Sequence, residues 1–216
     1  MKSIILITKS TLFAIALLIT DFVLALPTIE TGPTQGLDVP EGYVLGQLHI
    51  TGEINGVTIN HTGSVQEVFA QLDAEDNNFK LADLADIQRR TPAIDSQQFE
   101  KRYATDLHCL PVPGQNWHGA DSVAISEGIA FLREGWKTCN VGPHSCVRVS
   151  CSWDAAISVC NNQDKEIRPS CDLIANFAKT MSDKCLVHRG PFQHNVIGGQ
   201  YWDIENWNVN IYNARC

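Results

Sequence analysis

The chain has 216 residues, of which 19% are charged and 44% are hydrophobic, and its formal net charge is −8. This composition is typical of a globular protein of one or two domains and excludes a disordered chain. An acidic chain without a basic stripe attracts phosphate backbones weakly, so we expect no nucleic-acid partner. The charge is uneven, because residues 26–102 hold 12 acidic and 5 basic residues while residues 103–216 hold 11 and 9.

The first 25 residues have the features of an export signal. Lys2 and Lys9 precede an apolar run at residues 11–25, and small residues near the end of the run predict cleavage after Ala25. A transmembrane anchor is the alternative, but the run is shorter than the ~20 residues that a span needs. The pattern therefore predicts a secreted, extracellular protein without a membrane span.

Residues 26–102 contain no cysteine and end in the dibasic pair Lys101-Arg102. Endoproteases of the kexin type, which act along the export pathway, cut after such pairs. A cut at this pair would release residues 103–216 with every cysteine still in place. We therefore predict that residues 26–102 are an acidic, partly β propeptide, and the alternative is an integral β-rich lobe.

Local patterns predict three features within this cysteine-free segment. Asn55-Gly56, flanked by alternating apolar residues, predicts a β-hairpin. The apolar residues Val65, Val68, Phe69 and Leu72 have helical spacing and predict a short amphipathic helix over residues 64–72. The triplet that begins at Asn60 (NHT) is an acceptor for N-glycosylation, which predicts a glycoprotein with Asn60 on a surface loop.

All eight cysteines lie in residues 103–216, which we call the cysteine-rich part. They are Cys109, Cys139, Cys146, Cys151, Cys160, Cys171, Cys185 and Cys216. An even number of cysteines in an exported chain predicts disulfides in preference to a zinc site. Four bridges of about 2–4 kcal/mol each suit one compact domain. The number of cysteines does not determine how they pair.

The cysteine-rich part contains two predicted helices. The first covers residues 121–136, with Asp121 or Ser122 as its N-cap and an apolar stripe of Ile125, Ile129, Leu132 and Trp136. The second begins at Ser170 and carries Ile174, Phe177, Ala178, Met181 and Cys185 on its buried side. Cys171 and Cys185 would lie about 21 Å apart along this helix, so they cannot bridge each other.

Three strands complete the predicted domain. Residues 146–152 and 155–160 alternate between apolar and polar residues around a turn near Trp153-Asp154, which suggests a bridge between Cys151 and Cys160. Residues 207–211 alternate in the same way and predict the last strand. A bridge at Cys216 would hold the end of this chain in place. The order of elements predicts an α+β fold, a disulfide-stapled antiparallel sheet with two helices on one face.

Several short motifs of the cysteine-rich part occur together in a known group of proteins. They are residues 128–133 (GIAFLR), 148–152 (RVSCS), 155–162 (AAISVCNN), 198–200 (GGQ) and 207–209 (WNV). Over residues 109–216, about half of the chain, they resemble uncharacterised small secreted cysteine-rich proteins of filamentous fungi. The resemblance implies a fungal, effector-like secreted protein and brings no established activity.

A second resemblance is to the killer-toxin-like α/β sandwich of smut-fungus toxins. The shared features are Cys171, a helix, Cys185, a glycine-containing loop and a terminal strand that ends at a cysteine. Those toxins usually have more basic residues and a close cysteine pair after the second helix, and this chain has neither. The resemblance therefore implies a fold and carries over no functional residue.

All five tryptophans lie in the cysteine-rich part. Trp136 and Trp207 fall on predicted buried stripes. Trp117, Trp153 and Trp202 fall in predicted turns or loops and are the candidate binding residues, because exposed indoles can stack on sugar rings. The alternative for each of the three is packing in the core or cover over a turn.

The candidate catalytic residues form no recognisable pattern. His118 with Glu127, Arg133 and Glu134 has the residue types of a nuclease, but no spacing links them, and Arg133 and Glu134 are expected to be solvated. His188 and His194 are too loosely spaced for a zinc site. The sequence lacks the Gly-X-Ser-X-Gly elbow of serine hydrolases. It therefore predicts no catalytic residue, metal or cofactor.

The favoured function is a non-catalytic, monomeric secreted protein that binds an extracellular protein or glycan and acts as an effector or toxin-like factor. The first alternative is a carbohydrate-binding module for cell-wall glycan. The second is a small secreted hydrolase or nuclease.

Overall fold

The computed structural model describes residues 43–54, 56–75, 102–134, 136–191 and 193–216. The predicted export signal, its cleavage site at Ala25, and Lys101 lie outside these residues. No helix in the described ranges is long and apolar enough to cross a membrane.

The described residues form three helices and twelve strands. The helices are α1 (Val65–Glu75), α2 (Ser122–Arg133) and α3 (Cys171–Lys184). The first six strands are β1 (Val44–Leu45), β2 (His49–Ile54), β3 (Val57–Thr62), β4 (Ala104–Cys109), β5 (Ala120–Asp121) and β6 (Trp136–Asn140). The others are β7 (Ser145–Ser152), β8 (Ala155–Asn161), β9 (Leu186–Val187), β10 (Val196–Ile197), β11 (Gly199–Asp203) and β12 (Trp207–Asn213).

The strands form one six-stranded sheet in the order β1-β7-β8-β12-β11-β4 and two three-stranded sheets, β5-β10-β9 and β3-β2-β6. The six-stranded sheet is antiparallel except where β1 runs parallel to β7. Helix α2 contacts β7 and β8, and α3 contacts β11 and β12. The predicted mixture of α and β structure is confirmed, and the β7–β8 hairpin and the last strand lie where the alternation placed them.

Helix α2 begins as the sequence predicts and ends sooner. The Asp121 carboxylate accepts hydrogen bonds from the backbone amides of Val123 and Ala124, so Asp121 is the N-cap. At Glu134 the backbone is already extended (φ −69°, ψ 120°). Trp136 therefore begins β6, and its predicted place on the helical stripe is wrong.

Helix α3 matches its prediction closely. Its N-cap is Ser170, whose hydroxyl accepts a hydrogen bond from the Leu173 amide. The predicted side chains of its inner stripe are all buried, and Phe177 packs edge-on against Tyr201 and Trp207. This helix therefore joins the core formed by β11 and β12.

Residues 43–75, which we call the N-terminal segment, share one hydrophobic core with the cysteine-rich part. The predicted hairpin is confirmed as β2 and β3, and the predicted helix is confirmed as α1, with all four apolar residues of its stripe buried. Strand β2 also pairs with β6 of the cysteine-rich part. Asn60 is exposed on β3, in a strand where the sequence predicted a loop.

Four disulfides are present, as the sequence predicts. They join Cys109 to Cys185, Cys139 to Cys171, Cys146 to Cys160, and Cys151 to Cys216. The suggested bridge between Cys151 and Cys160 is wrong, because the register of the β7–β8 hairpin places Cys146 opposite Cys160 and Ala156 opposite Cys151. The predictions that Cys216 is bridged and that Cys171 and Cys185 do not bridge each other are confirmed.

Candidate functional site

The most prominent surface feature is the turn between β7 and β8. Ser152 pairs with Ala155, which leaves Trp153 and Asp154 as a two-residue turn. Both residues have left-handed backbones, with φ of 50° and 55°. This geometry matches the twist of the flanking strands, but Asn and Gly usually occupy it, and a bulky residue there is uncommon. The Trp153 side chain is 84% exposed.

The C-terminal residues fix this turn in position. The Ala214 amide donates a hydrogen bond of 2.9 Å to the carbonyl oxygen of Asp154. Cys216 is joined to Cys151, two residues before the turn. The Arg148 guanidinium donates to the carbonyl oxygen of Arg215 at 2.8 Å. The turn is therefore held by covalent and hydrogen-bonded contacts while its indole points away from the core.

The other two candidate tryptophans are less exposed to solvent than Trp153. Trp117 is half-buried and stacks on Tyr212, with ring centroids 5.0 Å apart and an interplanar angle of 24°. Trp202 is also half-buried, and its Nε1 donates to Gln200 Oε1 at 3.0 Å. Of the three residues proposed from the sequence, Trp153 is the exposed one. Trp117 instead packs against the protein, which is the alternative that the sequence analysis left open.

A chain of amide side chains crosses β11 and β12 beside Trp202. Gln200 and Asn210 each donate to Asn208 Oδ1, at 3.4 and 2.8 Å, so the indole of Trp202 extends a row of three amides. Asn210 is 1% exposed, and its Oδ1 has no hydrogen-bond partner among the described residues. The alternation of asparagines with apolar residues in β12 was the sequence signal for this row.

A polar cleft of about 370 Å³ lies at the end of the sheet that contains the β11–β12 turn. Its lining includes Arg102, Tyr103, Glu166, Arg168, Asp203 and Glu205. Asp203 is 4% exposed, and burial raises the pKa of its carboxyl to about 6, although the Glu205 amide donates to it at 2.8 Å. Carboxyls that titrate near neutrality are common in functional sites.

Sequence reasoning missed this cleft. The available signal was weak: Asp203 occupies an inward position in the alternating strand β11, where an apolar residue is expected.

The nuclease set from the sequence is spread over different elements. His118 lies in an exposed loop, where its carbonyl oxygen accepts from the Asn213 amide. The Arg133 side chain is only 10% exposed and donates to Asn176 Oδ1 of α3 at 2.9 Å. Glu134 is 8% exposed. The expectation that Arg133 and Glu134 are solvated is therefore wrong, because the end of α2 packs against α3.

The two histidines considered for zinc are not joined in a ligand set. His194 Nδ1 lies 2.6 Å from Asp121 Oδ2, at the N-cap of α2. The described ranges contain no group of three or more His, Cys, Asp or Glu residues arranged to hold a metal ion.

A scan against models of known protein families, and searches of curated proteins and of solved structures, find no match to this chain. The class of protein therefore follows from the molecule alone. Four disulfides over a mixed α and β fold are typical of small extracellular proteins.

Proposed function

We propose that this protein is secreted and acts outside the cell by binding, with the β7–β8 turn as its recognition element and with no catalytic step of its own. The observation that carries the proposal is the Trp153 indole, 84% exposed on a turn that the C-terminal residues hold in place. Large aromatic residues often contribute most of the energy of an interface. Because the backbone of the turn is held in place and a tryptophan has only two side-chain torsions, the indole loses little conformational freedom on binding.

The chemistry of the target is a glycan or an apolar protein surface, since both present flat apolar faces to an indole. The exposed Asp154 carboxylate beside Trp153 can accept hydrogen bonds from sugar hydroxyls. This pairing of an aromatic face with a polar acceptor favours cell-wall glycan as the first target to test. In keeping with the secreted fungal proteins that its sequence resembles, we propose that binding serves an effector or toxin-like action on other cells.

The test measures binding of wild type and Trp153→Ala to insoluble chitin, to insoluble β-glucan and to the surface of intact cells. We expect the substitution to weaken binding at least tenfold on the true target, because loss of a central aromatic residue typically costs ~2 kcal/mol or more. Val187→Ala, at an apolar residue 54% exposed on β9, is the matched control. Equal binding of Trp153→Ala and wild type to every target would contradict the proposal.

A second candidate function, a secreted hydrolase, is favoured by the Asp203 cleft. A buried carboxyl with a pKa of about 6 can donate a proton near neutral pH, and Glu166 and Glu205 line the same cleft. Hydrolysis of glycan or RNA by the purified protein, abolished in Asp203→Asn, would favour this candidate. Activity that survives Asp203→Asn would remove Asp203 from any such role.

A further inference from the structure

We propose that the N-terminal segment is a lasting structural part of the folded protein, docked on the edges of β6 and β7 and on α2, and that non-covalent contacts keep it bound when the chain between residues 75 and 103 is cut. The proposal is independent of what the protein binds. It gives the segment a lasting structural role, whereas a propeptide leaves after cleavage.

The first observation is covalent. Every disulfide joins two residues of the cysteine-rich part, so residues 76–102 are the segment's one covalent tie to it. This tie contains the dibasic pairs Arg89-Arg90 and Lys101-Arg102. A cut at either pair would leave two separate polypeptides.

The second observation is that strands of the segment pair with two strands of the cysteine-rich part, β6 and β7. Strand β2 pairs with β6 over five residue pairs, from His49 with Asn140 to Glu53 with Trp136. Strand β1 adds to the edge of β7, where the amide of Val44 donates to His144 and that of Gly46 donates to Cys146. Backbone pairing at an exposed edge is a common way for one chain to hold another.

The third observation is the packing of α1. Phe69 lies 5.3 Å from Phe131 of α2, measured between ring centroids, and is 5% exposed. Gln66 contacts the edge of β7 beyond the two residues that pair with β1. Its Nε2 donates to Ser150 Oγ at 2.7 Å, and its Oε1 accepts from the Cys151 amide at 3.2 Å. The helix therefore contributes both apolar and specific polar contacts.

The segment also has too little of its own structure to stand alone. Eight of its apolar side chains are 5% exposed or less: Leu48, Ile50, Ile54, Ile59, Val65, Val68, Phe69 and Leu72. A single hairpin with one short helix cannot bury such a set by itself. Separation would expose these side chains and their counterparts on the cysteine-rich part, which opposes release.

The accessibility of the Lys137 amine can be used to tell whether the N-terminal segment is bound. It lies on β6 with its ammonium 5.7 Å from the centre of the Phe69 ring, and it is 3% exposed. Release of α1 would uncover it. An amine-reactive reagent should therefore spare Lys137 while the segment is bound and modify it after release, with the exposed Lys165 modified in both states.

The test cuts the chain between the two parts without changing either part. The full chain carries a recognition sequence for a site-specific protease inserted after Arg90, and denaturing mass spectrometry verifies the cut. We expect native mass spectrometry to show both pieces in one particle with Lys137 unmodified, and denaturant without reducing agent to separate them. If native mass spectrometry directly after cutting shows the cysteine-rich piece without the segment, the proposal is wrong.

Two variants of α1 refine the test. Phe69→Ala should speed loss of the cut segment on the order of a hundredfold, because truncation of a buried phenylalanine leaves a large cavity. Asp73→Ala, at an exposed position of the same helix, should behave as the wild type does. Equal dissociation rates for Phe69→Ala and wild type would show that α1 does not hold the segment.

Discussion

Cys216 is joined to Cys151 by a disulfide, and their Cα atoms are 5.5 Å apart. The bridge ties the C-terminal residues beside the turn that carries Trp153.

We expect Cys151→Ser/Cys216→Ser to lower the free energy of unfolding by about 2–4 kcal/mol, because the bridge closes a long loop in the unfolded chain. Denaturant unfolding measures this loss. The comparison is Cys146→Ala/Cys160→Ala, which opens a much shorter loop, 14 residues in place of 65. Its loop-closure contribution is smaller, but both of its sulfurs are buried, so lost packing adds to its cost. If the turn depends on the C-terminal residues, only the first pair should also weaken binding through Trp153.

Asp203 should make the stability depend on pH. Burial raises its pKa in the folded state to about 6, above the ordinary value of 3.8, so the folded state holds the proton more tightly. The resulting stabilisation is complete below pH 4 and is lost as the pH rises through 6. Asp203→Asn should therefore match the wild type at pH 4 and be more stable at pH 7, by at most about 3 kcal/mol.

Thermal or denaturant unfolding at several pH values checks this prediction. Val187→Ala, at an exposed residue without a titratable group, is the control, and its stability relative to the wild type should be the same at every pH. A stability difference that is the same at pH 4 and pH 7 would contradict the assignment to Asp203.

Lys137 should change the stability with pH in the opposite direction to Asp203, because its burial costs stability at low pH. Burial lowers its pKa from 10.5 to about 8, so at neutral pH the folded state holds a charged amine where a neutral group is favoured. Lys137→Met keeps the aliphatic contact with Phe69 and should raise the free energy of unfolding at pH 7 by up to about 3 kcal/mol. The gain should fade as the pH rises from 8 towards 10.5. A destabilised Lys137→Met protein at pH 7 would show that the ammonium contributes more than burial costs.

Gly128 should resist substitution despite its place in a helix. A Cβ at this position would lie 2.3 Å from Ser150 Oγ and 3.2 Å from Ile157 Cδ1. Gly128→Ala gains about 1 kcal/mol of helix propensity, but overpacking costs roughly 1–3 kcal/mol, so a net loss of stability is expected. Because Ser150→Ala also removes the hydrogen bond from Gln66, the reference is Ser150→Ala alone. Adding Gly128→Ala to Ser150→Ala should cost less stability than adding it to the wild type. Chemical denaturation of the single and double variants decides between crowding and propensity.

Much of the fold was predictable because the local rules agree with the packing. The β2–β3 hairpin, which pairs Ile54 with Val57, the caps Asp121 and Ser170, and the apolar stripe of α1 depend on interactions between near neighbours in the sequence. Each lies where the sequence indicated. Contacts between distant residues were harder to predict. A β-bulge between Arg148 and Ser150 shifts the register of β7 against β8 by one residue, and this shift brings Cys146 opposite Cys160. No sequence pattern predicted the bulge.

The candidate site also has a part that could be predicted from the sequence and a part that could not. Trp153 was predictable, because alternating residues on both sides marked a turn. The Asp203 cleft was not, because it depends on how the β11–β12 turn lies against residues near Arg168. The pairing of β2 with β6 also joins positions more than eighty residues apart. No local pattern reports a contact of that range.

Asn60 lies on β3, the edge strand of the three-stranded sheet, with His49 Nε2 2.6 Å from its Oδ1. An edge strand presents unpaired backbone groups to which a second molecule can add. Glycosylation modifies Nδ2 and leaves Oδ1 free to keep the contact with His49. A sugar chain attached there would lie beside this edge and keep neighbouring molecules from pairing with it, so a glycan at Asn60 would oppose aggregation through this sheet.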